Sequence, residues 1–249
     1  MTGAEQRETA LAGRGFGEAA DAYVAGRPDY PAEAVDWLVG DARRIVDVGA
    51  GTGKLTAGLL GEGRRVTAVE PDGGMLAALR REVPDAVALQ GTAEALPLPD
   101  AAADAVVFGQ AWHWVDVERA SSEAARVLVP GGVLGLVWNV RDSRAAWVHE
   151  LGEIMRGSAA EEAIERDAVR VAAPFDGLER FETEWTRPLA PDRIVQMAAS
   201  RSYVIALDVP EREALLERIR MLLADHPDTR GRTRIDLPYR TTAFRARRP

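Results

Sequence analysis

The chain has 249 residues, 47% hydrophobic and 28% charged, a composition that can bury a sizeable core. It contains no cysteine, which excludes disulfides, thiolate zinc sites and a cysteine nucleophile. A formal net charge of −8 argues against a nucleic-acid partner, no apolar run reaches the ~18 residues of a membrane span, and MTGAEQRETALAGRGFG lacks a signal peptide's apolar stretch. A cytoplasmic chain without a membrane partner is therefore expected.

Residues 1–15 are small, polar and aperiodic, and read as a flexible tail. Residues 16–249 read as a single domain that opens with a cap helix within 16–40, where Ala34, Val35, Trp37 and Leu38 follow Pro31 at helical spacing. Short apolar runs then alternate with helical stretches. Strands are expected at 43–49, 64–70, 86–90, 103–109 and 133–138, and helices at 52–60, 75–83 and 117–128, the last ending before Pro130-Gly131-Gly132. Apolar strands interleaved with helices predict a doubly wound, mostly parallel α/β sheet covered on both faces. Beyond residue 140 the pattern loosens. A helix is expected at 143–155, residues 156–180 carry no clear period, and 180–187 alternates like a strand. Helices near 191–199 and 209–224 precede a last strand at 237–246. Residues of about 188–228 thus form a helical insertion, and the sheet counts seven strands.

The stretch VDVGAGTGKLTAG (46–58) sets Gly49, Gly51 and Gly53 directly after the first strand. Glycines at a strand-to-helix turn let a ligand lie against the backbone, beyond the carboxyl ends of the strands. The spacing fits neither G-x-G-x-x-G, because Lys54 or Thr56 falls where the third glycine belongs, nor a P-loop, because Leu55 replaces the magnesium-binding hydroxyl. Asp47 also disfavours an anion here. Glu70, at the end of the second strand and 19 residues after Gly51, can accept hydrogen bonds from a ribose diol. A ligand with a ribose, but with no phosphate at the turn, satisfies both observations.

These residues resemble the class I S-adenosylmethionine-dependent methyltransferases. VDVGAGTGKLT is similar to their first motif, VTAVEPDGGML to the second, GTAEALPLPDAAADAVVFGQAWHWVD to the third and fourth, and ARVLVPGGVLGLVW to the passage into the fifth strand. Together with RPDYP before the core and QAWHW after the fourth strand, they resemble the small-molecule, type 11 and trans-aconitate-like branch. The resemblance covers roughly residues 20–140. It implies that S-adenosyl-L-methionine is the cofactor and S-adenosyl-L-homocysteine the product. Gly49, Ala50, Gly51 and Gly53 would lie along the methionine part, with Asp47 at its amino group. Glu70 would hold the ribose, Pro71 and Met75 would flank the adenine, and Thr92, Ala93 and Glu94 would line its edge. Thr92 stands where the family commonly has Asp, which leaves the Ala93 backbone for that contact. Gln110 and Ala111 would lie beside the sulfonium.

The acceptor implied is a small molecule methylated at oxygen, as carboxylate or hydroxyl, with nitrogen or carbon the alternative. Methyl transfer from a sulfonium needs alignment and desolvation, and a base only where the acceptor must first lose a proton. Of the three histidines, His113 alone follows a core strand; it is either that base or a packed wall of the pocket. Arg27 and Arg201 can each pair with a carboxylate, Arg27 equally with the cofactor's own. Tyr23, Tyr30, Trp112, Trp114 and Tyr203 complete the candidate acceptor lining. The histidines are scattered, so no metal site is expected.

Overall fold

The computed structural model describes residues 27–61, 63–155 and 169–249. Tyr23, the 1–15 tail and residues 16–26 of the cap segment lie outside the described residues.

The first described helix, α1 (Ala32–Val39), buries Ala34, Val35, Leu38 and Val39. The next elements are β1 (Arg44–Val48), α2 (Lys54–Leu59), β2 (Arg65–Glu70), α3 (Gly73–Glu82), β3 (Val87–Gln90) and β4 (Ala103–Gly109). A 3-10 turn (Trp112–Trp114) leads to α4 (Val117–Val127) and β5 (Leu128–Arg141). After α5 (Ala146–Met155) come β6 (Glu179–Leu189), α6 (Pro191–Ala199), α7 (Ser202–Ile205), α8 (Val209–Asp225) and β7 (Ile235–Arg247). The seven strands form one sheet in the order β3-β2-β1-β4-β5-β7-β6. β1 pairs in parallel with β2 and β4, β2 with β3, and β4 with β5. The strand order reverses between β1 and β4, which opens a crevice at their carboxyl ends.

Continuous burial explains the central strands. Ile45, Val46 and Val48 on β1, and Ala105, Val106, Val107 and Phe108 on β4, are all buried, as a strand covered on both faces requires. α4 starts where the Asp116 carboxylate accepts from the amides of Glu118 and Arg119, and it buries a stripe through Ala120, Ser121, Ala124, Ala125 and Val127.

Two regions differ from the sequence expectation. β5 begins at Leu128, five residues before the expected 133. Pro130-Gly131-Gly132 does not end the element; its residues form a register shift, with Leu128 opposite Ala103 but Val133 opposite Ala105, and Gly131 takes φ +76°. In the unassigned stretch, residues 169–178 pack on α4: the Ala172 amide donates to Ser121 Oγ (3.0 Å), and Phe175 is buried in the same cluster as Ala120 and Ala124.

The described chain divides into two compact units. One comprises residues 29–140, 169–183 and 241–249. The other comprises 141–155 and 184–240, with Arg27 and Pro28, around a cluster that includes Trp147, Leu151, Ile194, Ile219, Leu237 and Tyr239.

Candidate functional site

The loop after β1 is held by its neighbours on β2. The amides of Gly49 and Ala50 donate to the Val69 carbonyl at 2.9 and 3.2 Å. The Gly51 amide donates to Glu70 Oε2 (2.8 Å) and the Asp72 amide to Glu70 Oε1 (3.0 Å), so this carboxylate ties the loop to the turn after β2. Gly49 and Gly53 have no substitute. Both take positive φ (+66° and +91°), and a Cβ would lie 2.7 Å from Ala111 Cβ at Gly49 and 2.7 Å from Val83 Cγ2 at Gly53.

Two buried carboxylates flank this loop. Asp47, next to the last residue of β1, is fully buried. Thr56 Oγ1 on α2 donates to its Oδ2 at 2.6 Å, while Oδ1 has no partner among the described residues. Burial pushes the Asp47 carboxyl up to about 7; the Thr56 bond opposes this and the Glu70 charge adds to it. Glu70 is also raised, first by burial, against the pull of the Asp72 and Gly51 amides. Each Glu70 oxygen accepts one backbone N–H and keeps a second lone pair.

The turn after β2 is shaped by Asp72, which caps α3 by accepting from the Met75 amide (2.8 Å). A Cβ on Gly51 would lie 3.9 Å from Met75 Sδ, so Met75 borders the glycine loop. Gln90 Nε2 donates to the Pro71 carbonyl (3.1 Å) and pins that turn to β3. Thr92 is exposed and Ala93 buried, while Glu94 Oε1 accepts from the Asp116 amide (3.1 Å).

These features fit S-adenosylmethionine. An unpartnered, buried carboxylate oxygen suits an ammonium group, which would also restore ionisation to a carboxyl that burial disfavours. The spare lone pairs of Glu70 suit the ribose hydroxyls, and the loop geometry lets a ligand approach backbone that a side chain would block.

At the end of β4, Gln110 takes φ +58° and its Nε2 donates to the Asn139 carbonyl (2.9 Å). Asn139 is buried; its Nδ2 donates to the Asp29 carbonyl (3.1 Å), and its Oδ1 accepts from Thr241 Oγ1 (2.6 Å). Asp29 also pairs with Lys54 (2.8 Å), so the Pro-Asp-Tyr-Pro segment is fastened to α2 and to β5. A Cβ on Gly109 would come within 2.8 Å of the Tyr30 hydroxyl, which places that ring at the end of β4. His113 is half-buried, and its Nδ1 accepts from Trp138 Nε1 at 3.5 Å. Trp114 is 64% exposed and lies against the His113 ring. Trp112 is a core residue: it packs edge-on against Phe108, and its Nε1 donates to the Arg170 carbonyl (2.9 Å).

The other expected acceptor residues belong to the second unit. Arg27 and Arg201 are half-buried, Arg201 in the turn between α6 and α7, and Tyr203 donates to the Met155 carbonyl. Residues of the site that spacing did not reveal are Thr56, Asp72, Trp138 and Asn139. Thr56 and Asp72 carry a signal after the fact, as a hydroxyl one turn into the helix after the loop and an Asx residue at a helix start. Trp138 and Asn139 become relevant only through the pairing of β4 with β5.

A family model described as a methyltransferase domain matches residues 46–136. The chain is 50% identical over 232 residues to an uncharacterized methyltransferase of Mycobacterium tuberculosis, covering 93% of this chain and 94% of that one. A malonyl-[acyl-carrier protein] O-methyltransferase of Methylococcus capsulatus is 39% identical over 97 residues, 36% of this chain and 35% of that one. A solved structure from Anaeromyxobacter dehalogenans shares the fold with a TM-score of 0.64, at 24% identity over 89% of this chain and 96% of that one. No helix among the described residues is long and apolar enough to cross a membrane. The glycine loop, its two buried carboxylates and these likenesses agree: the chain belongs to the class I methyltransferases, and S-adenosylmethionine is its cofactor.

Proposed function

We propose that this enzyme methylates a small molecule at oxygen, and that the accepting atom belongs to a carboxylate. The observation that carries this reading is the approach of the Trp138 indole N–H to His113 Nδ1, at 3.5 Å. With Nδ1 accepting from the indole N–H, neutral His113 carries its proton on Nε2. It then offers a donor rather than a base, which suits an acceptor already ionised near neutral pH. A phenol or ammonium would need a proton removed first. The likeness to an O-methyltransferase supports the same atom.

When bound, S-adenosylmethionine supplies an electrophilic methyl on a positively charged sulfur. Asp47 would hold the amino end of the cofactor and Glu70 the ribose diol, two groups at the ends of adjacent strands. Gln110 and Ala111 would close the β4 side. His113, beside the end of β4, would help orient the acceptor, while Tyr30 and Trp114 would wall the approach and limit water.

Methyl-labelled cofactor incubated with a panel of carboxylates, phenols, alcohols and amines tests this. The expected product is a base-labile methyl ester formed from a carboxylate. Label appearing only on nitrogen, carbon or a hydroxyl would contradict it.

A further inference from the structure

Asp47 is a polar residue on an apolar face. Val46 and Val48 join the cluster that holds Phe108 and Trp112, and Ile45 the cluster that holds Leu55 and Leu59. Strand alternation therefore turns Asp47, with Ile45, toward α2. Among the described residues no cation pairs with it: Thr56 Oγ1 donates to Oδ2 at 2.6 Å, and Oδ1 has no partner. β2 and β4 set Ala68 and Val107 opposite it, neither of which titrates. Lys54, at the start of α2, is held by Asp29 at 2.8 Å. Burial pushes the Asp47 carboxyl up to about 7, the Thr56 hydroxyl opposes this, and the charge of Glu70 adds to it. Among the described residues, the side-chain donor that favours ionised Asp47 is thus Thr56.

That hydroxyl has an alternative. A threonine inside a helix can bond the carbonyl three or four residues back. Thr56 is fully buried and gives its proton to a side chain nine residues back instead. Burial and the branched Cβ keep it in place, so the bond settles which carboxylate oxygen is occupied and leaves Oδ1 for a ligand. We propose that Thr56 is a positioning residue for the cofactor's ammonium group: by donating to Asp47 Oδ2 it keeps that carboxylate ionised and aligned, so that Oδ1 can take the ammonium near neutral pH. The proposal rests on Asp47 receiving the amino end of the cofactor, and it adds the group that prepares Asp47 for that task. Without the hydroxyl, a carboxyl that burial already disfavours would be protonated over most of the neutral range.

Calorimetry with S-adenosylhomocysteine from about pH 6 to 9 tests this on wild type, Thr56→Val, Thr56→Ser and Asp47→Asn, with thermal unfolding to show that each is folded. Valine keeps the shape of threonine and loses the donor; serine keeps the donor and loses the methyl. Thr56→Val should bind about fivefold more weakly than wild type at pH 7 and within about twofold of it by pH 9, because the midpoint of the affinity rise moves up by about one pH unit. The amine of the free ligand titrates alike in both experiments and leaves that ratio unchanged. Thr56→Ser should keep the wild-type midpoint. 5′-Methylthioadenosine, which lacks the amino-acid part, should bind wild type and Thr56→Val alike. A role in packing alone gives another pattern: both ligands weakened at every pH, and a larger loss in Thr56→Ser than in Thr56→Val. That pattern would overturn the proposal, as would a Thr56→Val midpoint equal to that of wild type while Asp47→Asn abolishes the pH dependence. If wild type and Asp47→Asn bind equally at every pH, the placement of Asp47 at the ammonium fails, and the role of Thr56 fails with it.

Discussion

The glycine loop after β1 and the surroundings of Tyr239 are built in opposite ways. The loop is made of backbone: amides of Gly49, Ala50 and Gly51 spent on β2, positive φ at three glycines, and two carboxylates within one βαβ unit. Its parts lie close in sequence, and little room exists to vary them. The surroundings of Tyr239 are made of side chains from distant segments, Trp185 on β6 and Met197 on α6. Such a surface can change its residues without changing its fold. A family can therefore keep one cofactor while its members diverge in acceptor.

That contrast predicts a graded response to substitution. The largest effect belongs to Gly49→Val. A side chain there meets Ala111 Cβ at 2.7 Å with the backbone at φ +66°. A stability loss of about 2–4 kcal/mol is expected from strain and overpacking together. S-adenosylhomocysteine affinity should fall about 100-fold or more, and chemical denaturation beside calorimetry measures both. Affinity within about threefold of wild type would break the claim that backbone builds the site.

Asp47→Asn should act in two directions. Because burial raises the Asp47 carboxyl to about 7, the folded chain binds a proton between about pH 4 and 7 that the unfolded chain releases. This contribution to stability is present at low pH and is lost as pH rises through about 7. The variant should lose that decline and unfold at a higher temperature than wild type at pH 8. It should nevertheless bind S-adenosylhomocysteine about tenfold more weakly. In wild type, that affinity should rise as pH passes through 7, because an ammonium partner favours the carboxylate. Calorimetry from pH 5.5 to 8.5 reads the sign.

The smallest effect sharpens the comparison by its location. Asp104, at the opposite end of β4 from Gln110, accepts from the Arg43 and Arg44 amides and pairs with the Arg44 guanidinium, which holds its carboxyl below the usual range. That contribution is present above pH 4 and is lost as pH falls through the lowered value. Asp104→Asn should cost about 1–2 kcal/mol at neutral pH and leave cofactor affinity unchanged.

The sequence discloses these two regions unequally, for the same physical reason. β1, β2 and β4 are legible because strands covered on both faces must be apolar runs, and the turn from Gly49 to Gly53 is legible because it demands glycine at fixed spacing. The start of β5 is not, since Pro130-Gly131-Gly132 resembles a terminator and acts instead as an irregularity inside a strand. Residues 169–178 carry no periodicity and are placed by packing against α4. Trp112 illustrates the limit for side chains: its position after β4 points to the acceptor, yet its indole N–H finds the Arg170 carbonyl 58 residues away and the ring joins the core. Trp185 and Tyr239 become neighbours only when β6 and β7 lie side by side in the sheet, an order the sequence does not spell out.

The most direct measurement is a calorimetric titration of the wild type and Glu70→Ala with S-adenosylhomocysteine. Glu70 both ties the loop through Gly51 and Asp72 and faces the expected ribose, so binding by wild type and about 10- to 100-fold weaker binding by a still folded variant is the predicted result. Equal affinity in the two proteins, or no binding by wild type, would contradict the account of a cofactor site built by the ends of β1 and β2.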